Sequence, residues 1–157
     1  MRVVGLYRHT LDVKSRVAVP AQFREKLGET FYVMKGPDTC LFVYDQEGFD
    51  AITMQFAEYS STYDDRNMQR LRFAGAFSPE LDKQGRFVIP QDLVEYANLK
   101  KDLVIFGMNN RIEIWDADEW NKTMEIAQAT ETEAERFEAE QAKLVPQPPR
   151  KPVRFKW

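Results

Sequence analysis

At 157 residues, 43% hydrophobic and 13% aromatic, the chain has the content of one globular domain or two very small ones, not of a disordered segment. Its single cysteine, Cys40, excludes an internal disulfide framework and fits a reducing compartment; with the single histidine, His9, it cannot build a zinc site within one chain. The net charge of −3 gives no global reason to expect nucleic acid.

The opening stretch, Met1 to Arg8, lacks the long apolar run of a signal peptide, and runs such as Leu103–Phe106 are too short to span a bilayer. A cytoplasmic protein is expected. A first strand approaches Leu11-Asp12, and Val13-Lys14-Ser15 then forms a tight turn in which the Asp12 side chain accepts from a backbone N–H two residues on. Arg16 to Val19 reads as a second strand. Pro20 opens a short helix at its first position, Gln22 to Leu27, which stops at Gly28. Phe31–Met34 and Leu41–Tyr44 are paired strands joined through Gly36-Pro37-Asp38.

From Glu47 to Phe73 the pattern is helical, with Phe49, Ile52 and Phe56 on one face and a break at Ser60-Ser61-Thr62. The first set of elements then recurs. Leu81-Asp82-Lys83-Gln84-Gly85-Arg86-Phe87-Val88-Ile89-Pro90 aligns with Leu11–Pro20 at an offset of 70 residues, and Gly85 supplies the positive φ of the turn. Arg111-Ile112-Glu113-Ile114-Trp115-Asp116 matches Cys40–Asp45 at an offset of 71, as Trp120 matches Phe49 and Gly107 matches Gly36. Leu103–Phe106 and Ile112–Trp115 are the strands of this second copy, with Gly107 to Asn110 as their turn. Asp118 to Leu144 reads as one long helix, acidic and polar nearly all round in its later half. The Pro-rich segment from Pro146 is an extended, flexible tail.

The charge is uneven. Residues 1–30 carry +3, residues 31–116 carry −5, residues 117–145 carry −5 and the last twelve carry +4. Screening over about 8–10 Å lets a small basic surface bind phosphates on an acidic protein.

Two Leu-Asp-x-x-x-Arg turns about seventy residues apart, each followed by an apolar triplet and Pro, resemble the MraZ family. Tyr7–Asp12, Asp82–Arg86 and Asn110–Trp115 carry the likeness, which runs from about Gly5 to Met124. The resemblance implies an α+β fold of two pseudo-symmetric SpoVT/AbrB-type swapped-hairpin β units closing into one barrel. It also implies assembly into a closed ring and sequence-specific binding to direct repeats in promoter DNA, with the chain's own division and cell-wall gene cluster as the usual target. The expected organisation is unit 1 over residues 6–52, a helical connector over 53–75, unit 2 over 76–123, a C-terminal helix over 124–145 and the tail over 146–157. In the first copy Ser15 stands where the family pattern has Gly, so the first loop is expected to bend differently. The tail lies outside the pattern.

Arg16 and Arg86 are the candidate DNA contacts, able to reach a guanine edge bidentately or to clamp a phosphate. The competing reading is that each pairs with its own Asp and braces the turn. Arg8, Lys14 and Lys83 flank the loops as candidate phosphate contacts, which position a protein without specifying sequence. Asp12 and Asp82 are assigned to turn capping, with Gly85 as turn residue. The alternative, an aspartic-protease-like dyad, wants a small hydroxyl and Gly after each Asp; Val13 and Lys83 stand there instead. His9 is not ranked as a site and Cys40 reads as core. Tyr44, Phe49, Trp115 and Trp120 read as core or subunit interface. The tail, with four cations and two aromatics, would bind DNA loosely, dock on a neighbour or stay disordered. The expectation is a DNA-binding regulator without catalysis, metal or cofactor. Its competitors are an antitoxin-like module that wraps a protein with its C-terminal segment and, remotely, an aspartate-dependent hydrolase.

Overall fold

In a computed structural model, residues 1–58, 61–130 and 132–144 are described. The chain divides into residues 1–120, which hold both copies of the repeat, and a segment from Asn121 onward. The first copy contributes β1 (Val3–Thr10), β2 (Arg16–Ala18), α1 (Ala21–Leu27), β3 (Phe31–Lys35) and β4 (Leu41–Asp45). Helices α2 (Gln46–Ala57) and α3 (Tyr63–Phe73) follow. The second copy contributes β5 (Arg86–Val88), α4 (Gln91–Tyr96), β6 (Asp102–Asn109) and β7 (Ile112–Asp116), and then come α5 (Ala117–Thr130) and α6 (Glu133–Leu144).

Strands pair across the repeat rather than within it. β1 of the first copy runs antiparallel to β6 of the second, from Val3 opposite Asn109 to Thr10 opposite Asp102. β2 runs antiparallel to β5 with Val17 opposite Phe87, two residues that occupy the same place in the two copies. The five-stranded sheet has the order β1-β6-β7-β4-β3, and β2-β5 forms a separate two-stranded ribbon. Among the described residues the strands therefore form two sheets and not one closed hydrogen-bonded barrel.

One face of the large sheet packs on the ribbon and on α1 and α4. Val33, Val43, Ile105 and Ile114 meet Val17, Phe87, Phe23 and Leu93 there, all of them buried. Strand alternation sends Phe42, Tyr44, Val104 and Trp115 to the opposite face, where Phe49, Phe73 and Trp120 cover them. Cys40, Tyr44 and Trp115 are thus buried core residues with Phe49 and Trp120 half-buried against them, and burial pushes the Cys40 thiol well up from its ordinary value. Glu113 is buried on this same face. It accepts from Arg111 Nε at 2.9 Å and from Trp115 Nε1 at 3.0 Å, while the Arg111 guanidinium lies 4.3 Å from the Phe42 ring centre.

Several elements differ from the sequence expectation. The second copy has no counterpart to the eight-residue β1; only a bridge between Phe77 and Val33 remains. Pro79 lacks the N–H a ladder needs, and the Ser78 hydroxyl donates to Phe31 O at 2.9 Å instead. Gly107 and Met108 belong to β6, and the chain reverses at Asn109-Asn110, with Asn109 at φ 68°. Gly107 is there for a close approach: a Cβ would stand 2.8 Å from Val4 N. Pro20 and Pro90 cap their helices from just outside.

The long helix expected over Asp118–Leu144 is two helices. Thr132 is non-helical and caps α6, accepting from Glu135 N at Oγ1 and from Arg136 N at its carbonyl, a Thr-x-x-Glu start signal within the acidic run. Thr62 caps α3 in the same way, which accounts for the break before that helix. Ser60 and the tail from Pro146 lie outside the described residues.

The Tyr44-Asp45 and Trp115-Asp116 strand ends recur because each Asp caps the helix that follows. Asp45 accepts from Gly48 N at 2.8 Å; Asp116 accepts from Asp118 N, Glu119 N and both nitrogens of Lys100. Burial pushes the Asp116 carboxyl up, but the Lys100 bonds and the helix N–H groups hold it, on balance, below its ordinary 3.8. Its contribution is present above that value and is lost as pH falls through the lowered one. Asp116→Ala should cost about 2–3 kcal/mol in urea unfolding at pH 7. The variant should also lose less stability than wild type on acidification below pH 4.

Candidate nucleic-acid interface

The two Asp-x-x-x-Arg loops are built by the same bonds. In the first, Ser15 N donates to Asp12 O at 2.9 Å and Asp12 N to Arg16 O at 3.1 Å; in the second, Gly85 N donates to Asp82 O at 3.0 Å and Asp82 N to Arg86 O at 2.8 Å. Asp12 Oδ1 accepts from Lys14 N and Arg16 N, and Asp82 Oδ1 from Gln84 N and Arg86 N, all at 2.9 Å. Each loop is a β-turn followed by one residue at positive φ, 58° at Ser15 and 73° at Gly85, the three-residue hairpin pattern. The expectation that Ser15 bends the first loop differently is corrected: the serine takes the left-handed conformation and every bond is kept.

The second loop has Gly at its positive-φ position, where a Cβ would also meet the Arg24 guanidinium on α1, the flexible end of a side chain that would have to turn aside. The residue equivalent to Arg24 in the second copy is Val94, so the first loop meets no such charge.

Each arginine does pair with its own aspartate. Arg16 Nε reaches Asp12 Oδ2 at 2.7 Å and Arg86 Nε reaches Asp82 Oδ2 at 2.9 Å, and all four side chains stay partly exposed. Arg86 Nη1 also lies 3.9 Å from Asp12 Oδ2, linking the loops. The bracing and contact readings are therefore compatible. An Nε-anchored guanidinium is held in one orientation, which lowers the entropy lost when a ligand binds it. The backbone N–H of Arg16 is the main cause that holds the Asp12 carboxyl below its ordinary value, helped by the Arg16 guanidinium and Lys14 N and opposed by partial desolvation. Arg86 N and Gln84 N do the same for Asp82. Both carboxylates are ionised at neutral pH, the opposite of a dyad that shares a proton.

The ribbon fixes the spacing of the loops. Val19 N donates to Gly85 O and Ile89 N to Ser15 O, so each loop closes one end of the β2–β5 ladder. Four residue steps of strand lead from Ser15 to Val19, placing the loop ends roughly 13 Å apart. Beside them lies an open groove of about 680 Å³ lined by Arg8, His9, Asp12, Arg16, Arg86 and Asp102, among others. The fold thus brings Arg8, Arg16 and Arg86 to one surface. Lys14 and Lys83 stand exposed on the two turns, outside the groove lining. His9 joins the lining although its place in a strand gave no reason to rank it. Arg24, on α1, had no signal of its own in the sequence.

The paired copies match the model of a family described as "MraZ protein, putative antitoxin-like" twice in tandem, at residues 3–71 and 72–142. The chain belongs to the MraZ family. It is 47% identical to a protein named transcriptional regulator MraZ from Finegoldia magna, over 76% of this chain and 84% of that one. It is 48% identical to the same-named protein of Carboxydothermus hydrogenoformans, over 80% of this chain and 89% of that one. A third, from Acetivibrio thermocellus, is 46% identical over 74% and 82%. These are names of MraZ regulators and not of enzymes. Among the described residues no helix is long and apolar enough to cross a membrane, and none of them form a metal-holding group of His, Cys, Asp or Glu.

The unequal loops give a direct test. Ser15→Gly should raise stability by about 0.5 kcal/mol, since relief of the positive-φ strain exceeds the added freedom of the unfolded chain. Gly85→Ser should lower it by about 1–2 kcal/mol, and adding Arg24→Ala should recover part of that loss. Urea unfolding of the four proteins reads both effects.

Proposed function

We propose that this MraZ-family chain is a sequence-specific DNA-binding transcriptional regulator whose two loops contact DNA through Arg16 and Arg86. The observation that carries the reading is the pair of like-built loops, each with an Nε-anchored arginine, at fixed separation beside a groove that also includes Arg8. Arg16 Nε and Arg86 Nη1 lie 2.7 Å and 3.9 Å from the same Asp12 Oδ2, so the two arginines address one short stretch of duplex. Arg8, Lys14 and Lys83 take phosphates, and Asp12, Asp82 and Gly85 hold the loops. The relatives' name, transcriptional regulator, supports the same reading.

The finer form is a cytoplasmic, nucleoid-associated protein acting on promoter direct repeats, probed first in the DNA upstream of its own gene and division cluster. The barrel of this reading is two sheets wrapped round the Val17–Phe87 core. One loop pair covers too little DNA for selective affinity, so a ring of chains repeating the pair would add binding through effective concentration. Val4 (76% exposed) and Leu6 on edge strand β1, Met108 beside them and Leu71 on α3 are apolar surfaces such a ring would cover.

A second reading is a protein-binding, antitoxin-like module, in keeping with the family description. The exposed Ile126 and Phe137 on the acidic helices α5 and α6 favour it.

Fluorescence anisotropy against the upstream region, intact and with its repeats scrambled, separates the two. The intact duplex should bind more tightly; equal affinities sink the regulator reading. Arg16→Ala should weaken the intact duplex about tenfold to a hundredfold. The affinity should fall with log salt at a slope of about −3 per chain, from three phosphate cations, and Lys14→Ala should reduce that slope by about 1. Light scattering behind size exclusion should give a mass of several chains, and a monomer at micromolar concentration contradicts the ring.

A further inference from the structure

We propose that Val13 packs against the 5-methyl group of a thymine and gives the two loops unlike base preferences, an inference that rests on the DNA-binding reading above. Val13 is the most exposed large hydrophobic residue described, at 101%, and it sits on the turn whose base holds Arg16. Its backbone is not free to fold the isopropyl group away: Asp12 fixes the N–H groups of Lys14 and Arg16 and the carbonyl bond to Ser15.

The turn itself does not call for valine. Lys83 occupies the same place in the second loop, where the same set of bonds closes the same turn. A β-branched apolar group held out in water on the turn that carries Lys14 and ends at Arg16 has one apolar partner in a duplex groove, the thymine methyl. Contact with it buries surface on both sides while the backbone stays as it is. The second loop offers Lys83 and Gln84 in place of Val13 and Lys14, groups that donate and accept hydrogen bonds. A backbone with near two-fold symmetry therefore presents two chemically different tips. The preferred sequence should be asymmetric, with a thymine under the first loop and none required under the second.

The test uses the full chain and a random duplex library with fixed flanks. Failure to enrich any sequence overturns the regulator reading itself, and this inference with it. Where a sequence is enriched, its thymines are replaced by deoxyuridine, which removes the methyl alone, and affinities are compared by anisotropy at one stated salt. Wild type should lose about fourfold per contacted methyl. Val13→Ala should bind the thymine duplex about fourfold more weakly and be indifferent to the replacement. Val13→Lys, the residue the second turn already accommodates, should be equally indifferent. Both variants should keep the wild-type Tm, as the side chain touches nothing in the fold. An enriched sequence without an invariant thymine, equal wild-type affinity for the two duplexes, or undiminished methyl sensitivity in both variants overturns the thymine contact and leaves the regulator reading standing.

Discussion

The antiparallel ladder between β2 and β5 is the constraint on which the remainder depends. Three residues pair on each side, centred on Val17 opposite Phe87, and the bonds from Val19 N to Gly85 O and from Ile89 N to Ser15 O extend it into the opposite loops. Neither copy can bury its apolar face alone: Val17 and Val19 need Phe87 and Ile89, and β1 needs β6. Cooperativity follows from this exchange, because loosening the ribbon exposes the core and both arginine loops together. Recognition and stability are in this sense one structure.

The aspartates convert that rigidity into a presented charge. A carboxylate that accepts two backbone N–H groups and a guanidinium Nε has most of its lone pairs committed, so it orients the arginine without removing it from solvent. The same bonds keep the carboxylates ionised across the neutral range. A protein with an overall acidic composition can then offer phosphate-binding chemistry on one small surface, which the net charge alone conceals.

Much of this was legible in the residues. The seventy-residue offset marked the two copies and the Asp-x-x-x-Arg spacing gave the turns, while the recurring strand ends at Asp45 and Asp116 were matched but not read as the helix caps they are. What was not legible depends on tertiary neighbours or on one residue's veto. Pro79 cancels a strand that the repeat alignment demands. Arg24 meets Gly85 only once α1 is laid over the second loop, and His9 becomes a groove residue only through its neighbours around Arg16 and Arg86. Thr132 was overlooked for another reason: apolar spacing continues across it, while a side-chain cap outweighs periodicity at a helix start. The pairing of strands between copies, and its stopping short of a closed hydrogen-bonded barrel, has no signature in a local pattern at all.

Pro79 has a further consequence for the edges of the five-stranded sheet. β1 offers a full eight-residue edge, whereas β3 meets the chain's own Phe77 at a single bridge and the proline forbids further pairing by that segment. Sheet growth from chain to chain requires two open edges, one to receive and one to extend. With one of them obstructed from within, strand addition at β1 terminates at the first partner. Open-ended growth through this sheet is thereby disfavoured in a protein whose exposed Val4 and Leu6 would otherwise invite it.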